Sequence, residues 1–161
     1  MDITLKIGDE NATVSTLQLR LMDLGYLDID DSTGYFGPAT EDAVKRFQRQ
    51  YGLEQDGIAS FETQMLLYAG DAQHYTILEG TEGNDVADVQ RQLIDLGYLS
   101  PGKATGYYGE ATTEAVRAFQ KANDLAVDGK TGEHTLDRIY SPRAVATPER
   151  RQATRTKASI D

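Results

Sequence analysis

Apolar residues recur along this chain at helical spacing, and the same pattern comes twice. Val14, Leu17, Leu21 and Leu24 stand three and four positions apart among polar neighbours, the spacing of one buried helix face. Val86, Val89, Leu93 and Leu96 repeat the stripe. Thr13 and Asp85 sit where an N-cap side chain accepts a first-turn N–H. Gly25 and Gly97 follow the stripes, where a left-handed residue stops a helix without a Cβ clash. A second helix is predicted after Gly37 and Gly109, with Pro38 at a position where its missing N–H is harmless. Ala43, Val44, Phe47 and Tyr51 form its buried face, answered by Ala115, Val116 and Phe119. Gly52 ends it in the first copy, and Asp124 stands there in the second. Leu53 and Leu125 fold back before Asp-Gly turns at 56–57 and 128–129. A short third helix carries Thr63, Leu66 and Leu67, then Thr135, Leu136 and Ile139.

Displacing the sequence by 72 positions overlays the copies without a gap. Leu24-Gly25-Tyr26-Leu27 falls on Leu96-Gly97-Tyr98-Leu99, and Thr33-Gly34-Tyr35-Phe36-Gly37 on Thr105-Gly106-Tyr107-Tyr108-Gly109. Phe47-Gln48 falls on Phe119-Gln120, and Asp56-Gly57 on Asp128-Gly129. Such dense identity over a long period means duplication of a complete small domain, not a short-repeat solenoid. The expectation is an all-α chain of two consecutive three-helix domains, residues 1–69 and 76–140. A linker is expected at 70–75 and a basic, flexible tail at 141–161, where Pro142, Pro148 and few large apolar residues break the pattern. Each unit has about 65 residues, small but able to fold alone.

Charge and composition remove several functions. The chain carries a net charge of −10. Arg143, Arg150, Arg151, Arg155 and Lys157 outnumber the acids in the tail, so the body is more acidic still. Such a body repels nucleic acid, and no nucleic-acid partner is expected. No stretch approaches the roughly 20 apolar residues of a membrane span, so no membrane insertion is expected. Met1-Asp2-Ile3-Thr4-Leu5-Lys6 is no basic region leading into an apolar core, so no signal peptide is visible. Without cysteine there are no disulfides, thiol nucleophiles or Cys-based zinc sites. His74 and His134 lack the spacing of a zinc motif, and no metal or other cofactor is expected. Nucleophile elbows, phosphate loops and dinucleotide fingerprints are absent. Acidic residues are abundant, but units this small leave little room for a cleft enclosing a sugar chain. No catalytic residue is assigned, and Asp56 and Asp128 are read as turn formers.

The order of these motifs resembles the peptidoglycan-binding domain type 1 family. The match runs from Leu17-Gln18 to Thr63 and again from Val89-Gln90 to Thr135. Asp128-Gly129-Lys130-Thr131-Gly132 is closer to the family's Asp-Gly-x-x-Gly than Asp56-Gly57-Ile58-Ala59-Ser60. The resemblance implies a non-catalytic three-helix module that holds wall-remodelling enzymes on bacterial peptidoglycan. Its partners would be glycan or stem peptide and an attached or separate cell-wall hydrolase. Its place would be the cell wall, as a secreted or spore-associated protein. The alternative is a protein-interaction or structural module of a secreted or phage-type assembly.

A binder of sugar rings and carboxylate-bearing peptides needs aromatic surface beside hydrogen-bonding loops. The residues proposed for contact are Tyr35, Phe36, Gly37 and Thr40 in the first unit, and Tyr107, Tyr108, Gly109 and Thr112 in the second. They stand at the entrance of helix two, whose N-terminal N–H groups and dipole suit a carboxylate. Tyr26 and Tyr98 are candidates for the groove beside this loop, or equally for a half-buried capping role. Replacing Tyr108 and Thr112 together is expected to weaken binding without unfolding the domain. Against this, aromatics in so small a domain are more often core, which applies to Tyr35 and Tyr107, and the alternative for Thr40 and Thr112 is to satisfy the first helical turn. Gln48 and Gln120 are expected to bond backbone across the domain rather than ligand.

Overall fold

A computed structural model describes residues 3–152 and divides the chain after Tyr75 into two compact units. The first contains α1 (Ala12–Leu24), α2 (Pro38–Gln50) and α3 (Phe61–Leu67). The second contains α4 (Asn84–Asp95), α5 (Glu110–Ala122) and α6 (Glu133–Ile139), with a further helical stretch at 148–152. The described residues contain no strand beyond isolated bridges, Leu5 with Ala59 and Glu10 with Tyr35, then Ile77 with Thr131 and Glu82 with Tyr107. No helix among them is long and apolar enough to cross a membrane.

The predicted stripes form the core, except that Leu96 is only half-buried. Val14, Leu17, Leu21 and Leu24 are buried, as are Val86, Val89 and Leu93. Phe47 and Phe119 are enclosed, and each meets a tyrosine edge-on: Tyr26 at 5.3 Å and Tyr98 at 5.6 Å between ring centres. Burial of each such side chain contributes roughly 1.5–3 kcal/mol. The first helix of each unit ends as predicted. Gly25 and Gly97 adopt φ of 91° and 93°. The N–H of Tyr26 reaches Leu21 O and that of Gly25 reaches Met22 O; Tyr98 and Gly97 do the same to Leu93 and Ile94. These bonds occupy carbonyls that the helix ends leave open. The second helix ends likewise, with Gly52 at φ 71° and Asp124 at φ 57°.

The starts differ from expectation. Asn11, not Thr13, caps α1, its side chain accepting from the Val14 N–H at 3.0 Å. Gly83 stands at the start of α4 without a side-chain cap, and Asp85 lies within the first turn. Both helices begin before their first buried residue, so the apolar stripe marks their starts late.

The segments after the third helices carry specific bonds. In the first unit Tyr75 is buried, its N–H bonded to Leu24 O, and the Tyr26 hydroxyl donates to Gln73 O. In the second unit the Thr147 N–H bonds Leu96 O and the Tyr98 hydroxyl donates to Val145 O. These are the same contacts, 72 residues on, so the linker and the first part of the tail complete their own units. Residues 153–161 of the expected tail lie outside the described residues.

Candidate functional site

The loop entering α2 is fixed by one buried amide. Gln18 lies on the inward side of α1 and is 1% exposed. Its Oε1 accepts from the N–H groups of Thr33 and Gly34, both at 2.9 Å. Its Nε2 donates to Tyr35 O and Thr40 Oγ1, also at 2.9 Å. One side chain thus joins α1, the loop and the first turn of α2. Gln90 repeats the arrangement, accepting from Gly106 N and donating to Tyr107 O and Thr112 Oγ1. Gln48 and Gln120 clamp the Asp-Gly turns in the same manner. Their Oε1 atoms accept from Gly57 and Gly129, and their Nε2 atoms donate to the Ile58 and Lys130 carbonyls. Backbone bonding was expected of the latter pair; the positioning role of Gln18 and Gln90 was not.

The ten proposed contact residues separate into two groups. Tyr35 and Tyr107 are exposed, at 46% and 48%, although core packing is the commoner fate of such rings. A Cβ built on Gly37 would lie 3.2 Å from Cε1 of Tyr35, and one on Gly109 would lie 3.4 Å from Cε1 of Tyr107. Each ring therefore lies along the bare glycine that begins α2 or α5, and neither glycine provides a side-chain cap. An open aromatic surface beside a helix N-terminus results in both units.

The other side chains turn inward, and for them surface contact must be corrected to packing. Phe36 and Tyr108 are wholly buried because they follow an outward tyrosine in extended backbone, where neighbours face opposite ways. Thr40 and Thr112 are 2% and 3% exposed and engaged by Gln18 and Gln90. Tyr26 is buried and Tyr98 half-buried, with hydroxyls committed to the closing segments. Replacing Tyr108 and Thr112 together would damage the fold, contrary to expectation.

Tyr108 also marks a difference between the units. Its hydroxyl donates to Gly129 O at 2.7 Å and lies 3.0 Å from Thr131 Oγ1. The first unit has Phe36 and Ala59 at these positions, so hydroxyl and partner are absent together. Burial pushes the Tyr108 phenol up to about 12. Burial likewise raises Tyr26 well above the usual tyrosine range.

The family described as a putative peptidoglycan binding domain matches residues 10–67 and again 82–139. The chain belongs to this family, in two copies. It is 31% identical over 151 residues to the N-acetylmuramoyl-L-alanine amidase CwlM of Mycobacterium tuberculosis, covering 84% of this chain and 37% of that protein. It is also 31% identical over 160 residues to a probable N-acetylmuramoyl-L-alanine amidase of Bacillus licheniformis, covering 86% and 45%. Among solved structures, the SleB N-terminal domain is 36% identical with a TM-score of 0.38, covering 40% of this chain and 86% of that one. The chain thus spans less than half the length of the two curated amidases it matches.

Proposed function

We propose, with membership of this family as the premise, that the chain binds bacterial cell-wall peptidoglycan without cleaving it. It would thereby hold an attached or partnered wall-remodelling activity at its substrate, in the cell wall or a spore. The observation that carries this proposal is the pair of outward tyrosines, Tyr35 and Tyr107, each beside a glycine-started helix. A phenol ring offers an apolar face to a sugar ring and a hydroxyl to its polar edge. The helix N-termini at Gly37 and Gly109 offer N–H groups suited to a stem-peptide carboxylate. Two linked weak sites gain through effective concentration, a reason for the module to be duplicated.

Co-sedimentation with purified sacculi tests this proposal. The chain is expected in the pellet and is expected to release no soluble muropeptides. A chain that stays in solution with sacculi from several sources contradicts wall binding, and release of muropeptides contradicts the non-catalytic role.

A second reading is a protein-interaction module. Phe61, Met65 and Tyr68 lie at i, i+4 and i+7 along and just beyond α3, exposed by 60%, 59% and 42%. The second unit has Glu133, Asp137 and Tyr140 there. Cross-linking of a specific protein partner through Met65, with no sacculus binding, would favour this reading over the first.

A further inference from the structure

The second unit contains a cleft of about 260 Å³ lined by Leu125, His134, Asp137, Arg138, Ser141 and Arg143. Its shape follows from the end of α6. The Ser141 N–H bonds Arg138 O, the Ser141 hydroxyl accepts from the Arg143 N–H at 3.0 Å, and the Ala144 N–H returns to Ser141 O. This turn brings Arg143 to the same cleft as Arg138 and His134 on α6. Among the described residues the Arg138 guanidinium donates one long bond, 3.5 Å, to Asn123 O. A guanidinium has five N–H donors, so donor capacity remains. Asp137 is the one carboxylate in the lining, against two permanent cations.

The counterparts 72 positions earlier are Glu62 for His134, Leu66 for Arg138, Asp71 for Arg143 and Ala69 for Ser141. The first unit thus has two acids and a leucine where the second has its basic groups. The change runs against the acidic character of the whole chain, whose net charge is −10. Clefts for drug-sized ligands span roughly 300–1,000 Å³. This one is smaller, suited to a single anionic group with its immediate attachment rather than a run of sugars.

We propose that this cleft is a binding site for a compact oxyanion, a carboxylate or a phosphate, present in the second unit and missing from the first. Arg138 and Arg143 supply charge-assisted donors. Ser141 adds a hydroxyl, and Leu125 an apolar wall for what the anion is attached to. If the proposed wall binding holds, the anion would be a stem-peptide carboxylate or a wall-polymer phosphate. The oxyanion site itself does not depend on that proposal.

Titration of the full chain, followed by amide NMR, tests the site with inorganic phosphate, N-acetyl-alanyl-alanine and the C-terminal amide of that dipeptide. Saturable shifts at His134 and Ser141 are expected with phosphate, the free dipeptide or both, with none from the amide. A response to phosphate alone assigns a phosphate source, and one to the dipeptide alone a peptide carboxylate. Glu62 and Ala69 should stay unmoved. Arg143→Gln, at an exposed position, should weaken binding on the order of five-fold without changing the melt. Arg138→Gln should weaken it further, and Arg138→Lys should retain part. The proposal is overturned if neither anion shifts the cleft, if Glu62 and Ala69 respond equally, or if Arg143→Gln binds like the parent. None of these readouts requires sacculi, so loss of this site and failure of wall binding are distinguishable.

Discussion

Replacing Gln18 by leucine removes the junction of α1, the tyrosine loop and α2 while nearly preserving side-chain volume. The amide oxygen holds two backbone N–H groups, Thr33 and Gly34, and the nitrogen holds Tyr35 O and Thr40 Oγ1. The bonds to Gly34 and Thr40 are buried, so water cannot replace the lost partner there. Each stranded buried group costs about 1–3 kcal/mol, and the threonine hydroxyl recovers part by rotation. A net loss of roughly 2–4 kcal/mol follows. A unit of this size has only about 4–11 kcal/mol of stability, so the first unit becomes marginal. In urea, with amide resonances assigned to each unit, the first-unit midpoint should fall by on the order of 2 M. Second-unit resonances should keep their own midpoint. The Tyr35 amide should shift even below the transition, because its loop has lost its anchor. A Gln18→Leu protein within about 0.5 kcal/mol of the parent, with the Tyr35 resonance unmoved, would refute the positioning role.

Other substitutions test other parts of the structure. Tyr108→Phe should cost the second unit about 1–2 kcal/mol. Adding Thr131→Ala should cost less than it does alone, because the pair then matches Phe36 and Ala59; strict additivity in denaturation would contradict the coupling. Because the Tyr108 phenol is pushed up to about 12, its contribution is complete below the ordinary tyrosine value of about 10. Between these pH values the unfolded chain loses the proton and the folded one retains it, so stability falls as pH rises. Second-unit unfolding should show that fall, and Tyr108→Phe should reduce it. Asp124→Gly relieves a left-handed residue at φ 57° and should raise second-unit stability by about 1 kcal/mol in urea; no gain would remove the strain argument. Gly37→Ala should move the Tyr35 ring, since its Cβ would stand 3.2 Å from Cε1, while leaving the unit folded at φ −102°. Unchanged Tyr35 ring resonances would contradict that contact.

The helical architecture was legible because buried residues on a helix repeat at 3 and 4, and the glycines after the stripes have a steric reason to be there. The exposed tyrosines were harder to resolve. Tyr35 and Phe36 are adjacent aromatics in extended backbone, so one must face out, but their types do not say which. The Glu10–Tyr35 bridge and the Gln18 amide decide it. Gln18 and Gln90 had a signal, a polar residue at the same place on the buried side of both first helices. Their hydrogen-bond partners are 15–22 residues away, outside any local pattern. The closing segments share no side-chain pattern, since Gln73 and Tyr75 have become Val145 and Thr147. The contacts that the two units share run mainly to backbone, which side-chain periodicity does not report.

Quantitative sacculus binding by the parent chain, Tyr35→Ala, Tyr107→Ala and the double variant tests the central claim most directly. Both positions are exposed, so all four proteins should melt alike. Each single variant should bind on the order of ten-fold more weakly through loss of one linked contact, and the double variant should remain in the supernatant. A folded double variant that pellets as well as the parent would contradict the account.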